Sequence, residues 1–256
     1  MGIILSGLLT GILASRVVSG LVGNWLGWRA MFVIAAAVMV VCLAVILCML
    51  PDMKRNFSGS YASLMHSVWR IVATQGRIRL YSIRAAFGFG SMLAIWSCMA
   101  FHLAQPPFLA GSDMVGMLGM CGIAGALVAS GLGKYVPRIG ISRFSLTGAA
   151  IQLISWAIAW IWSGSYIGLI VAVILVDIGL QCQQLSNQSG CIQAMPQAAN
   201  RVNTIFMTTY FIGGSVGTFC AGIGWAHFGW AGVCITGIIF ALISFVISLC
   251  ERREEC

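Results

Sequence analysis

The chain has 256 residues, of which 60% are hydrophobic and 8% charged, and its mean hydropathy is +0.97. A soluble domain carries about 25% charged residues, so the composition excludes a water-soluble globule and a charged disordered chain alike. The net charge of +8 must be accounted for by topology before it is read as a sign of nucleic-acid binding.

A helix needs roughly 20 mostly apolar residues to cross the hydrocarbon core. Eight such stretches follow one another, near residues 3–23, 30–50, 84–103, 114–132, 144–162, 166–185, 204–223 and 231–249. In lipid every backbone polar group needs an internal partner, so these stretches are predicted to be helices. The ten cysteines are scattered singly through them, which suits small apolar packing better than a disulfide framework or zinc. No nucleophile constellation, phosphate loop or paired histidines interrupt the spans, so neither an enzyme nor a cofactor is expected.

Between the second and third stretches, residues 51–83 form the one candidate linker. Within it Leu64, Met65, Val68, Ile71 and Val72 recur at helical spacing, with His66, Ser67 and Arg70 on other faces. That pattern predicts a short amphipathic helix lying on the membrane surface. Of the 14 bases, all but Arg16 and Arg29 fall in this linker and its borders, in the turns after the fourth and sixth stretches, or in the tail. The positive-inside bias places those segments and both termini in the cytoplasm.

The sixth stretch holds the most informative chemistry. Asp177 is the one acid within the eight stretches as drawn, and Gln181, Gln184 and Gln188 follow it on one helical face, with Gln183 and Asn187 widening the polar sector. Lipid penalises such a stripe, so it should face the bundle interior or an aqueous cavity. A carboxyl able to gain and lose a proton in a partly dry cavity is what proton exchange requires. Two readings stand: Asp177 senses or relays protons while Gln181 and Gln184 hydrogen-bond substrate, or Asp177 belongs to an interhelical clamp, for instance with Arg16 or with neighbouring amides. Smaller expectations concern His102, an interfacial or turn residue, Trp96, Trp156, Trp160 and Trp162, interfacial anchors or cavity walls, and Asp113, a helix N-cap.

The two ends of the chain match. Gly-Trp closes a hairpin at Gly27-Trp28 and again at Gly229-Trp230, and at the same offset Gly11, Ser15, Ser19 and Gly20 find Gly213, Gly217, Ala221 and Gly222. Internal duplication of this kind is what two parallel six-helix repeats would leave, with the last two helices of the first repeat at 1–50 and a whole second repeat at 84–256. On that reading the chain lacks an N-terminal half.

These residues carry a family resemblance. Gly2, Gly11, Ser15, Arg16, Ser19 and Gly20 follow the spacing of the major facilitator superfamily's antiporter motif, g-x8-G-x3-GP-x2-GG, with Arg16 in place of its proline and serines in place of two glycines. Small residues four apart also serve simply as a packing face. The turn Gly133-Lys-Tyr-Val-Pro-Arg-Ile-Gly140-Ile-Ser-Arg143 resembles the superfamily's cytoplasmic gating motif, G-x-x-x-D-R-x-G-R. There Gly133, Arg138 and Gly140 match, while Pro137 stands where the acid would be. The run from Asp177 to Gln188, with Arg201-Val-Asn203-Thr after it, is similar to the bacterial drug and sugar efflux branch, which includes arabinose-efflux permeases.

The resemblance implies an all-α integral membrane protein in a bacterial inner membrane that moves a small molecule by alternating access, by proton-coupled efflux. Its partners would be that substrate, protons and the lipid bilayer, and no nucleic acid. Two other readings stay open: a truncated remnant without independent transport, and a membrane partner that completes another polypeptide.

Overall fold

The computed structural model describes residues 11, 15, 18–23, 25–49, 61–111, 114–119, 121 and 139–254. They form two compact units, Met1–His66 with Ala110–Met120, and Ser67–Leu109 with Cys121–Cys256. Among the described residues all regular structure is helical.

In the first unit, α1 (Trp28–Met49) follows a turn at Gly27, whose φ is +79°, and buries none of its side chains. Residues 11, 15 and 18–23 are helical as well. Most of the expected fourth span lies outside the described residues, as does Asp113; residues 114–119 and 121 of that span are helical.

α2 (Tyr61–Thr74) occupies the stretch where an amphipathic helix is expected, with Ile71 buried and Trp69 exposed. The second unit then comprises α3 (Gly76–Leu103), α4 (Ile141–Ile161), α5 (Tyr166–Ala194), a single 3₁₀ turn at Pro196–Ala198, and α6 (Ala199–Glu254). At Gly229 the chain takes φ +57° and ψ −141°, which divides α6 into arms at 199–228 and 230–254 and so accommodates two of the expected spans. With α1, these are the five helices among the described residues that are long and apolar enough to cross a membrane.

Several helices run past their expected ends, α6 among them by continuing through Glu251. α3 starts at Gly76 rather than Arg84, and α5 continues to Ala194 rather than ending near Leu185. Hydropathy ends a span where polar residues begin, whereas here Arg84, Ser186 and Asn187 are packed inside the bundle and leave the helices uninterrupted.

Glycines set the helix spacing. A Cβ on Gly148 of α4 would lie 2.6 Å from the Gly179 carbonyl of α5, and one on Gly179 would lie 2.6 Å from the Gly148 carbonyl. Likewise a Cβ on Gly90 of α3 would lie 2.7 Å from the Gly213 carbonyl of α6. Without side chains at these points the backbones meet directly, the packing mode favoured where lipid removes the hydrophobic drive for association.

Candidate functional site

The face of α5 that carries Asp177, Gln181, Gln184 and Gln188 is half-buried along its length. Neighbouring helices supply partners to most of it. Trp96 Nε1 of α3 donates to Asp177 Oδ1 at 3.3 Å, Tyr210 Oη of α6 donates to Gln184 Oε1 at 3.2 Å, and Gln188 Nε2 donates to Asn203 Oδ1 of α6 at 2.8 Å. The Gln181 amide has no hydrogen-bond partner among the described residues. Behind the strip Tyr210 is stacked on Phe89, with ring centroids 4.0 Å apart, and Phe206 and Phe211 pack around Tyr210. The result is a carboxylate, three amides and an aromatic wall on one side of the second unit, able to offer donors and acceptors to a polar molecule.

Gln183 and Asn187 belong elsewhere. Both are fully buried, in a network that joins α5 to α3, α4 and α6. Arg84 Nε donates to Asn187 Oδ1 at 2.7 Å, and Asn187 Nδ2 donates to Ser145 Oγ at 3.2 Å and to the Gln183 carbonyl at 2.7 Å. Gln183 Nε2 donates to Gln152 Oε1 at 2.8 Å, Gln152 Nε2 donates to the Gly88 carbonyl at 3.1 Å, and Ser244 Oγ donates to Gln183 Oε1 at 2.5 Å. Arg84 is also ion-paired through Nη1 with Glu251, whose carboxylate accepts from Ser142 Oγ at 2.9 Å. A buried guanidinium without a counter-ion would be prohibitive, and Glu251 supplies one. The outer Nη2 of Arg84 is buried without a hydrogen-bond partner among the described residues.

Two expectations are corrected here. Asp177 is not the one acid inside the helices, because α6 runs on through Glu251 and buries it. Arg84 is not a membrane-surface base: its exposure is 0%, and its charge is answered within the bundle.

The other singled-out residues are placed as follows. Gly213 and Gly217 face α3, where a Cβ would collide with the carbonyls of Ala86 and Gly90 respectively, whereas Gly222 is exposed with nothing near its Cβ position. Gly11 and Ser15 are exposed, Ser19 is half-buried and Gly20 is buried. Gly140 takes φ +91° immediately before α4. Arg16, Gly133, Pro137 and Arg138 lie outside the described residues. His102, in the last turn of α3, is buried against the turn after α4: Nε2 donates to the Ser163 carbonyl at 2.8 Å and the ring stacks on Trp230 with centroids 4.0 Å apart. Trp156 is fully buried and donates to Ser91 Oγ at 2.7 Å, while Trp160 and Trp162 are exposed.

Tyr210, Asn203, Arg84 and Glu251 were absent from the expected site. Asn203 had a signal, since it falls in the motif-like run after Arg201. Nothing in the sequence pairs the others, which come from widely separated helices.

Comparison with known proteins completes the picture. The Major Facilitator Superfamily model matches residues 1–218. An uncharacterized transporter of Escherichia coli O157:H7 is 35% identical over 248 residues, covering 96% of this chain and 63% of the relative. A probable transporter of Streptomyces coelicolor is 28% identical over 90% of this chain and 54% of its own length. A Haemophilus influenzae protein described as a probable sugar efflux transporter is 24% identical over 86% of this chain and 54% of its own length. The chain thus spans less than two-thirds of the relatives it matches, and those relatives are named as transporters rather than enzymes. By the extent of the family match and this likeness, the chain belongs to the major facilitator superfamily.

Proposed function

We propose that the chain forms the substrate-facing wall of a transporter that moves a small polar molecule across a bacterial inner membrane by alternating access, as proton-coupled efflux. The observation that carries this reading is the half-buried strip Asp177, Gln181, Gln184 and Gln188 on a helix long and apolar enough to cross a membrane. Polar side chains within membrane helices face the bundle interior or a water-filled cavity, and an intramembrane carboxyl is by default a functional group. In this reading Asp177, whose Oδ1 accepts from Trp96 Nε1, gains and loses the coupled proton, while Gln181, Gln184 and Gln188 hydrogen-bond the substrate. Residues 1–50 contribute two helices of a first bundle, 51–83 the cytoplasmic linker and 84–256 the second bundle. Both termini face the cytoplasm, in keeping with the bases around the linker and in the tail. The word efflux gains weight from the name of the Haemophilus relative, and amide side chains suit the hydroxyls of a sugar.

The test is efflux driven by an imposed pH gradient, in cells making this chain alone and together with the N-terminal helices of the Escherichia coli relative. Asp177→Asn is expected to abolish the pH-driven component and leave the protein in the membrane. Unchanged transport by that variant would remove the proton role. Absence of transport in both arrangements would favour a remnant or a subunit that completes another polypeptide.

A further inference from the structure

Gln183 and Asn187 lie one turn apart on α5, and hydrogen bonds reach them from three other helices: Arg84 of α3, Ser145 and Gln152 of α4, and Ser244 of α6. At about 100° per residue, this anchored pair sits roughly a third of a turn around α5 from the strip of Asp177, Gln181, Gln184 and Gln188. Rolling α5 by that angle would carry the strip into the packed interior.

Among these contacts Arg84 is the one that fixes a direction. A guanidinium is planar and presents its donors in a rigid fork, so engaging Glu251 through Nη1 sets where Nε points. Nε points at Asn187 Oδ1, 2.7 Å away. Glu251 is itself held by Ser142, 2.9 Å from its carboxylate, so the fork has a fixed base on α4 and α6. A point charge in the same place would neutralise Glu251 without specifying the rotation of α5.

We propose that Arg84 is a positioning residue for the strip: anchored on Glu251, it holds Asn187 and thereby sets the rotation of α5 that turns Asp177, Gln181, Gln184 and Gln188 to the half-exposed side. This rests on the reading of the strip as the substrate surface, and its test needs no transport.

Thiols report the rotation. Cys182 and Cys191 of α5 are buried, as are Cys98 of α3 and Cys234 of α6. In detergent-purified full-length chain carrying Gln181→Cys as the strip reporter, N-ethylmaleimide labelling is mapped peptide by peptide. The expected result in the otherwise unchanged chain is rapid labelling at position 181 and protection of the four buried thiols. Arg84→Lys keeps the charge but loses the fork, and is expected to raise labelling of Cys182 and Cys191 by about tenfold while Cys98 and Cys234 stay protected, the mark of one helix loosening rather than of unfolding. Asn187→Ala, which leaves Arg84 and Glu251 paired, should give the same pattern. The proposal is overturned if either variant leaves Cys182 and Cys191 protected, or if all four buried thiols become reactive together. Should Asp177→Asn leave transport intact, the functional reading falls, and the thiol pattern still decides the role of Arg84.

Discussion

Arg84 and Glu251 meet as an ion pair inside the helix bundle, one from α3 and the other from the far end of α6. Removing one member of a buried pair strands the other charge, at a cost of about 3–5 kcal/mol, whereas replacing both by apolar residues of similar volume is often close to neutral. Arg84→Met and Glu251→Leu are each expected to lower the melting temperature of the purified chain sharply, and the double variant to recover most of the loss. A double variant as unstable as the sum of the singles would show that the two charges act independently.

The strip makes a graded prediction. Tyr210→Phe removes the donor to Gln184 Oε1, and Asn203→Ala removes the acceptor of Gln188 Nε2. Each interaction is worth about 1 kcal/mol, so each change should shift apparent substrate affinity roughly fivefold, in contrast to the loss expected for Asp177→Asn. Concentration dependence of transport in the reconstituted system checks this. Affinity unmoved by both changes would separate those contacts from the substrate.

The glycine contacts predict where bulk is refused. A methyl group at Gly90 or Gly217 would press on the backbone of the facing helix, and backbone cannot give way as a flexible side chain can. Gly90→Ala and Gly217→Ala should each cost about 1–3 kcal/mol by overpacking. Gly222→Ala, with open space around its Cβ position, serves as the control and is expected to be neutral or slightly stabilising through better helix propensity. Thermal unfolding of the three variants distinguishes them.

The sequence exposed some of this plainly and hid the rest for a physical reason. Asp177 stands out because a lone acid in an apolar run has no cheap explanation in lipid, and its neighbours at helical spacing complete the face. Gly229 stands out because a hairpin between two spans needs a residue that tolerates positive φ. Arg84 was hidden by its own type: at a span border a base satisfies the positive-inside bias, and burial becomes affordable only because Glu251 reaches it from the other end of the unit. Gln183 and Asn187 looked like part of the strip because helical periodicity gives an angle but not the direction of the neighbours. Trp96 stands out in the sequence as an aromatic and Tyr210 does not, and the partners of both emerge only once α3, α5 and α6 are packed together.

The matching hairpins give the last prediction. Gly27 precedes Trp28 with φ +79°, and Gly229 precedes Trp230 with φ +57°, so the repeated dipeptide carries a repeated positive φ. With ψ at −141°, Gly229 lies in the mirror image of the extended region, which glycine alone populates freely, and an L-residue with a Cβ is strained there by roughly 1–3 kcal/mol. Neither glycine has an atom within 4 Å of its Cβ position, so the cost of a substitution should be conformational and not steric. Gly229→Ala and Gly229→Asn are therefore each expected to destabilise the chain by about that amount, since asparagine's tolerance of the αL well does not extend to this ψ, and Gly229→Val by more because a β-branched side chain is the most strained there. Thermal melts of the three variants check this, and a Gly229→Ala chain that melts like the unchanged one would mean that backbone conformation does not select the glycine.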